Sequence, residues 1–283
     1  MISKIFSPSL MKQLQSVLLP QDARMAVAPK WLLRRSSAMD QAFAEHAKVV
    51  THIDGEFATI TVNGEAYLWP SQAEVHPLFT ILSELTNPLH PHHYLAEQTQ
   101  ISQGDVLLDI GACEGSFTAR AAELGANVIA VEPSKMMTRI IYALFELRGL
   151  PKPTVVSTLL GSKPDELHFI DNIHNPGASR IVPKPEAGSY AVPVTTLDLM
   201  VETLQLEKLS YIKCDAEGAD VDILKNGRKT LERFHPKIAI TTYHNTTDYR
   251  ELFRFLSEFG YNLMGKGLLY SNGELRVIML HAW

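Results

Sequence analysis

Two cysteines in 283 residues cannot build a disulfide framework. The fold must therefore rest on a hydrophobic core, and the chain suits a reducing, cytoplasmic compartment. No apolar run approaches the roughly 20 residues of a membrane-spanning helix, and near the start Val17-Leu18-Leu19 is too short for the core of a signal peptide. Positive charge is scarce as well. Lys and Arg number 26 against 31 Asp and Glu, a net charge of −5, and no stretch has the basic crowding of a nucleic-acid groove. These absences argue against a disulfide scaffold, a membrane span and a polynucleotide partner. What the chain has in quantity is apolar surface: 46% hydrophobic residues suffice for a full α/β core plus an accessory region.

The most informative stretch is Val106-Leu107-Leu108-Asp109-Ile110-Gly111-Ala112-Cys113-Glu114-Gly115. A short apolar run follows the turn signal Gly104-Asp105 and ends in an acid, a glycine and a second glycine four positions on. That pattern predicts a strand buried on both faces, a nucleotide-cradling turn and a helix over 116–124. Gly111 is expected to leave room for a ligand on the turn, and Gly115 to let the helix start close to the strand. The dinucleotide fingerprint needs a middle glycine where this chain has Cys113, which argues against NAD or FAD and for a cofactor without a diphosphate. Asp109 would repel a phosphate but suits the amino group or sulfonium of S-adenosylmethionine. A second buried strand, Asn127-Val128-Ile129-Ala130-Val131, ends in Glu132, at the interval from Gly111 where an acid accepts both hydrogen bonds of a ribose diol.

Four segments together resemble class I S-adenosylmethionine-dependent methyltransferases and, within them, the FkbM family. They are residues 104–112, Val131-Glu132-Pro133, Thr195-Thr196-Leu197-Asp198, and Tyr211-Ile212-Lys213-Cys214-Asp215-Ala216-Glu217-Gly218-Ala219-Asp220. The last is similar to the family's Lys-x-Asp-x-Glu-Gly-Ala signature. The resemblance covers roughly residues 95–265. It implies a Rossmann-like, doubly wound sheet of seven strands with the last strand antiparallel, and a cofactor site including Asp109, Gly111, Ala112, Cys113, Glu132, Pro133 and Asp215. By analogy it adds Tyr94 near the cofactor and Leu160 and Ser162 near the adenine. It also implies transfer to a hydroxyl oxygen of a sugar, glycolipid or secondary metabolite, with a small-molecule or glycan acceptor as the partner.

From residue 101 strand and helix patterns alternate, as a doubly wound sheet requires. Strands are expected at 106–110, 127–132, 154–160, 210–215 and 237–243, helices at 116–124, 135–148, 196–205, 219–232 and 247–258, and a closing antiparallel pair near 261–265 and 275–281. The Pro- and Gly-rich stretch 171–193 is expected to be a long irregular loop that selects the substrate. Residues 1–98 are read as an α+β accessory region and 99–283 as the cofactor domain. The accessory region should hold a helix over Ser9–Leu19, a β-hairpin around Asn63-Gly64 and a helix over Ser71–Leu85.

Methyl transfer is an in-line displacement, so the site must align the acceptor and take its proton. Asp215 and His244, at neighbouring strand ends, are the candidate bases, with Glu217 beside them. Lys213 could pair with Asp215 or neutralise a substrate carboxylate. Asp215, Glu217 and His244 include the ligand types of a divalent metal site, yet they lack a dedicated spacing, and no metal is assigned. In His90-Pro91-His92-His93-Tyr94, Pro91 spoils a convergent metal geometry. The segment could serve acceptor binding or form a lid over the methionine end of the cofactor, but a partly exposed linker is the favoured reading, with Tyr94 its functional member. Two rival readings stay open: a non-catalytic scaffold that keeps the cofactor fold, and a nicotinamide-dependent oxidoreductase, which Cys113 disfavours.

Overall fold

The computed structural model describes residues 12–14, 27, 36–271 and 273–283. The helix expected over 9–19 lies outside the described residues apart from 12–14. The described chain begins with α1 (Ser36–His46), then β1 (Val49–Asp54), β2 (Phe57–Val62), β3 (Glu65–Pro70) and α2 (His76–Thr86). The hairpin forms as expected. Asn63 and Gly64 have φ of 52° and 93°, the two positive values a type I′ turn requires. β2 alternates in burial, and Ile60 and Val62 join Tyr67, Trp69, Leu78 and Leu82 in a small core under α2. β1 adds a third antiparallel strand that the sequence did not reveal: all six of its residues are exposed, so it carries no readable period.

The cofactor-type sheet comprises β4 (Val106–Ile110), β5 (Asn127–Val131), β6 (Thr154–Val156), β11 (Tyr211–Cys214), β12 (Lys237–Thr241), β13 (Leu263–Ser271) and β14 (Glu274–Ala282). Their order is β13-β14-β12-β11-β4-β5-β6, parallel except that β14 runs antiparallel to both neighbours. Alternate residues face two hydrophobic cores. Leu108, Ile110, Ile212, Ile238 and Ile240 point into one, and Leu107, Val128, Ala130, Tyr211 and Ala239 into the other. Burial on both faces is why these strands read as unbroken apolar runs. On one side pack α3 (Ser116–Glu123) and α4 (Lys135–Leu147); on the other pack α5 (Leu197–Thr203), α6 (Asp220–Lys225), α7 (Arg228–Phe234) and α8 (Asp248–Ser257). Arg148, following α4, donates to the carbonyl of Ala66 and ties the N-terminal sheet to this layer.

Three expectations need correction. The strand expected over 154–160 is split: β6 ends at Val156, and β7 (Leu159–Leu160) leaves for another sheet. The stretch 171–193 is not wholly irregular, because β9 (Arg180–Val182) and most of β10 (Tyr190–Thr195) lie in it, forming with β7 and β8 (Asp165–Ile170) a sheet ordered β7-β10-β8-β9. Pro193 sits inside β10 and forfeits one ladder N–H, but Val192 and Val194 on either side are buried. The helix expected over 219–232 is two helices, interrupted at Asn226-Gly227 where Gly227 lies against Leu197.

The strand order reverses between β4 and β11, so the crevice of the fold opens at their C-terminal ends. Cys214 is level with Ile110, which brings the next residues, Asp215 and Gly111, side by side. A Cβ on Gly111 (φ +72°) would stand 1.9 Å from the carbonyl oxygen of Asp215. The glycine is therefore required by the neighbouring strand end, independently of any ligand on the turn. Gly115 (φ +83°) likewise lies against Ile141 of α4 rather than against its own strand. Gly111→Ala should cost about 2 kcal/mol or more of fold stability through steric overlap and backbone strain. Urea unfolding measures this, and an unchanged midpoint would refute the assignment.

Candidate functional site

The turn after β4 is held from three sides. Asp109 is fully buried, takes the hydroxyl of Thr118 at 2.5 Å and pairs with Lys213 at 3.1 Å. Lys213 also donates to the carbonyl of Gly111 at 2.5 Å. Burial works against its charge, but Asp109 and then Asp215 raise its pKa above the ordinary lysine value. Asp109 is thus committed inside the protein and does not face a cofactor's amino group, which corrects the role expected for it. Lys213 is its structural partner rather than a substrate ligand. The amides of Gly111 and Ala112 both donate to Val131. Cys113 takes the left-handed conformation (φ 50°), and its amide donates to Glu132 Oε2 at 2.8 Å.

Glu132 is buried, and its other oxygen accepts from the amide of Ser134 at 2.8 Å. Burial pushes its carboxyl up to about 7, against the pull of those two amides and of Lys213. Ser134 caps α4 through Met137 N and donates to Asp171, which also accepts from Tyr190. Tyr190 reaches the carbonyl of Pro133 as well. The 171–193 segment is therefore pinned beside Glu132 and is not independent of the cofactor side. Leu160 is buried in the hydrophobic core, while Ser162 is exposed just beyond β7. Cys113 and Cys214, at adjacent strand ends, are unpaired.

At the other lip of the crevice stands Asp215. Its Oδ2 accepts from the hydroxyl of Tyr94 at 2.7 Å, and its Oδ1 lies 3.1 Å from that of Thr241. Tyr94 is fixed by Tyr211, which donates to its carbonyl, and by edge contact with Phe117. The segment 90–94 is buried, contrary to the linker expected of it. The reason is its set of partners: Asp40 for His90, Glu84 for His92, the carbonyl of Glu84 for His93, and Lys266 for the carbonyl of His93. His92 binds Glu84 through Nδ1 at 2.7 Å and aims Nε2 at Asp215 Oδ2 from 3.7 Å.

His244 mirrors this arrangement. Its Nδ1 lies 3.2 Å from Asp220, and its Nε2 lies 3.7 Å from Asp215 Oδ1 and 3.5 Å from Glu217. Burial opposes its charge, but Asp220, Glu217 and Asp215 raise it to about 10. That shift favours the protonated imidazole at neutral pH and disfavours the base role expected of His244. Asp220 is fully buried and accepts from the amides of Ala216 and Gly218, closing the turn into α6. The structure thus brings Tyr94, Asp215, Glu217 and His244 together. It adds Glu84 and Asp220, to which the sequence reading gave no role, and His92, which that reading placed in a linker. Asp220 stood inside the signature segment, and an acid opening a helix after a Gly turn is the signal that marks it.

The model of the methyltransferase FkbM domain matches residues 109–263, more than half of the chain. The chain belongs to the FkbM methyltransferase family. No curated protein matches it. Among solved structures, an FkbM methyltransferase from Methylobacillus flagellatus KT is similar at 16% identity over 93% of this chain, with a TM-score of 0.49; the chain spans 62% of that protein's length. A putative methyltransferase from Streptococcus mutans in complex with SAH is 12% identical over 70% of this chain and 99% of its own (TM-score 0.42). Magnesium protoporphyrin IX methyltransferase from Synechocystis PCC 6803 with bound SAM is 13% identical over 64% of this chain and 70% of its own (TM-score 0.36).

The Glu132 environment sets a pH dependence in this family member. Its folded pKa, about 7, exceeds the ordinary 4.5, so the folded protein holds the proton more tightly and loses stability as pH rises between those values. A ligand whose hydroxyls donate to Glu132 needs the ionised form. Ligand affinity should therefore rise roughly tenfold from pH 6 to pH 8, and Glu132→Gln should flatten the profile. Calorimetric titration with S-adenosylhomocysteine across that range is the check; a flat wild-type profile contradicts it.

Proposed function

We propose that this chain is an S-adenosylmethionine-dependent methyltransferase acting on a hydroxyl oxygen of a small-molecule or glycan acceptor. The observation that carries the reading is the pairing, across one crevice, of Glu132 on one lip with Asp215 on the other. Each oxygen of Glu132 accepts one backbone N–H and has a further lone-pair direction. That matches a cis-diol. Ala112 and Cys113 in the turn after β4 and Pro133 in the turn after β5 flank Glu132, and Ser162, exposed past β7, is the candidate beside the adenine, with Leu160 packed beneath as support.

The cofactor supplies a methyl group on a sulfonium. Asp215 is the base of this proposal: Tyr94 and Thr241 hold its carboxylate in one orientation, and it takes the proton from the acceptor hydroxyl. Residues 1–98 form the accessory unit of the proposal, supplying Glu84, His92 and Tyr94 to a catalytic domain of residues 99–283. The unpaired cysteines suit a cytoplasmic setting. Among the described residues no helix is long and apolar enough to cross a membrane.

Asp215→Asn should keep S-adenosylhomocysteine affinity within about threefold and lower turnover by about 10²–10⁴. Turnover is read as S-adenosylhomocysteine released with a panel of hydroxylated acceptors. Equal turnover in mutant and wild type would remove Asp215 as the base, and binding of NAD in place of S-adenosylhomocysteine would remove the methyltransferase reading.

A further inference from the structure

The acceptor lip is built around distances that ordinary hydrogen bonding does not explain. His244 Nε2 stands 3.7 Å from Asp215 Oδ1 and 3.5 Å from Glu217 Oε2, longer than the roughly 2.8 Å of a charge-assisted hydrogen bond. Ligand atoms that share an ion about 2.1 Å from each lie about 3.0–3.5 Å apart in octahedral or tetrahedral arrangements; the Glu217 separation reaches that range, and the Asp215 separation is slightly longer. Asp215, Asp220 and His244 offer one atom each within 4.8 Å of one another.

The second shell is also in place. Asp220 sits at His244 Nδ1 at 3.2 Å, the carboxylate–histidine pairing that fixes tautomer and orientation in metal sites. The outer oxygen of Asp215 is bonded by Tyr94. An independent observation comes from the N-terminal segment. His92 is 6% exposed, its Nδ1 is fixed by Glu84, and its Nε2 faces Asp215 from 3.7 Å, buried and without a hydrogen-bond partner. Such a nitrogen calls for a further partner beside Asp215, as a water carried by an ion on that carboxylate would provide. Glu84, Asp215, Glu217 and Asp220 surround the two imidazoles, while Lys213 is taken by Asp109.

We propose that this lip binds one divalent cation in exchange for the proton on His244 Nε2, which is released to solvent; the ion is held by that nitrogen, Asp215 and the exposed Glu217, with Asp220 fixing His244 from behind. One imidazole nitrogen, two carboxylates and open positions for water suit a first-row ion such as Mn²⁺. The open positions would take the acceptor's hydroxyl groups. That role rests on the reading of this lip as the acceptor site; the binding itself does not.

The test uses the full chain stripped with chelator and titrated with Mn²⁺ alone, without cofactor or acceptor. Free Mn²⁺ is followed by electron paramagnetic resonance, and bound metal by elemental analysis. One Mn²⁺ per chain is expected. Glu217→Gln, exposed and safe for folding, should weaken binding about fivefold or more, and Asp220→Asn about 10–100-fold. Glu186→Gln, in a remote surface ion pair with Arg180, should change nothing. No binding below about 1 mM, or equal binding in Glu217→Gln and wild type, overturns the proposal. S-adenosylhomocysteine titrated into the same preparation reports separately on the methyltransferase reading, so normal cofactor binding without Mn²⁺ sinks the cation alone.

Discussion

The ion pair between Asp109 and Lys213 is the interaction on which the rest of the site depends. The two residues are level with each other on adjacent parallel strands, β4 and β11, at the point where the strand order reverses. Both are almost fully buried. Burying two charges costs several kcal/mol each, and removing one partner of such a pair costs about 3–5 kcal/mol. The attraction is supplemented here: Lys213 also satisfies the carbonyl of Gly111, and Asp109 also takes the Thr118 hydroxyl of α3. One pair thus locks the glycine turn, the first helix and the strand that ends in Asp215. The close approach of Gly111 to the Asp215 carbonyl is the steric consequence.

The parts of this fold that were legible in the sequence are those where one physical constraint dominates. Strands buried on both faces leave runs such as Val106-Leu107-Leu108 and Asn127–Val131, and acids at their ends mark the crevice. Asn63-Gly64 needs two positive φ values and betrays its hairpin. Other parts rest on partners distant in sequence. Pro193 argued against a strand, but the burial of Val192 and Val194 outweighs one lost ladder bond. The His90–Tyr94 segment looked like an exposed linker because Asp40, Glu84 and Lys266, which bury it, come from three other elements. Asp109 was read as facing a cofactor because the lysine that claims it stands 104 residues later.

Electrostatics favours Asp215 over His244 as the base of the proposed reaction. The carboxylates around His244 raise it to about 10, so it favours its protonated form at pH 7. The three carboxylates that cause this also explain why a positive charge is favoured there, whether carried by a proton or by an ion. Asp215 differs in kind. Its neighbours are two hydroxyls at hydrogen-bond distance and two imidazoles held back at 3.7 Å, so it is oriented without being enclosed, and it remains the group on which an approaching hydroxyl can converge.

The site also joins regions of different standing in the chain. The family match spans residues 109–263, and it contains the glycine turn, Glu132, Asp215 and His244. Glu84, His92 and Tyr94 precede it, yet they form one wall around Asp215. The Glu132 side of the crevice therefore belongs to the family domain, whereas the wall around Asp215 depends on a segment outside it, fixed by α1, α2 and β13. The other candidate wall, 171–193, is bonded through Asp171 to the start of α4 beside Glu132. A change there would be felt first at Glu132, whereas a change in the histidine segment would be felt first at Asp215.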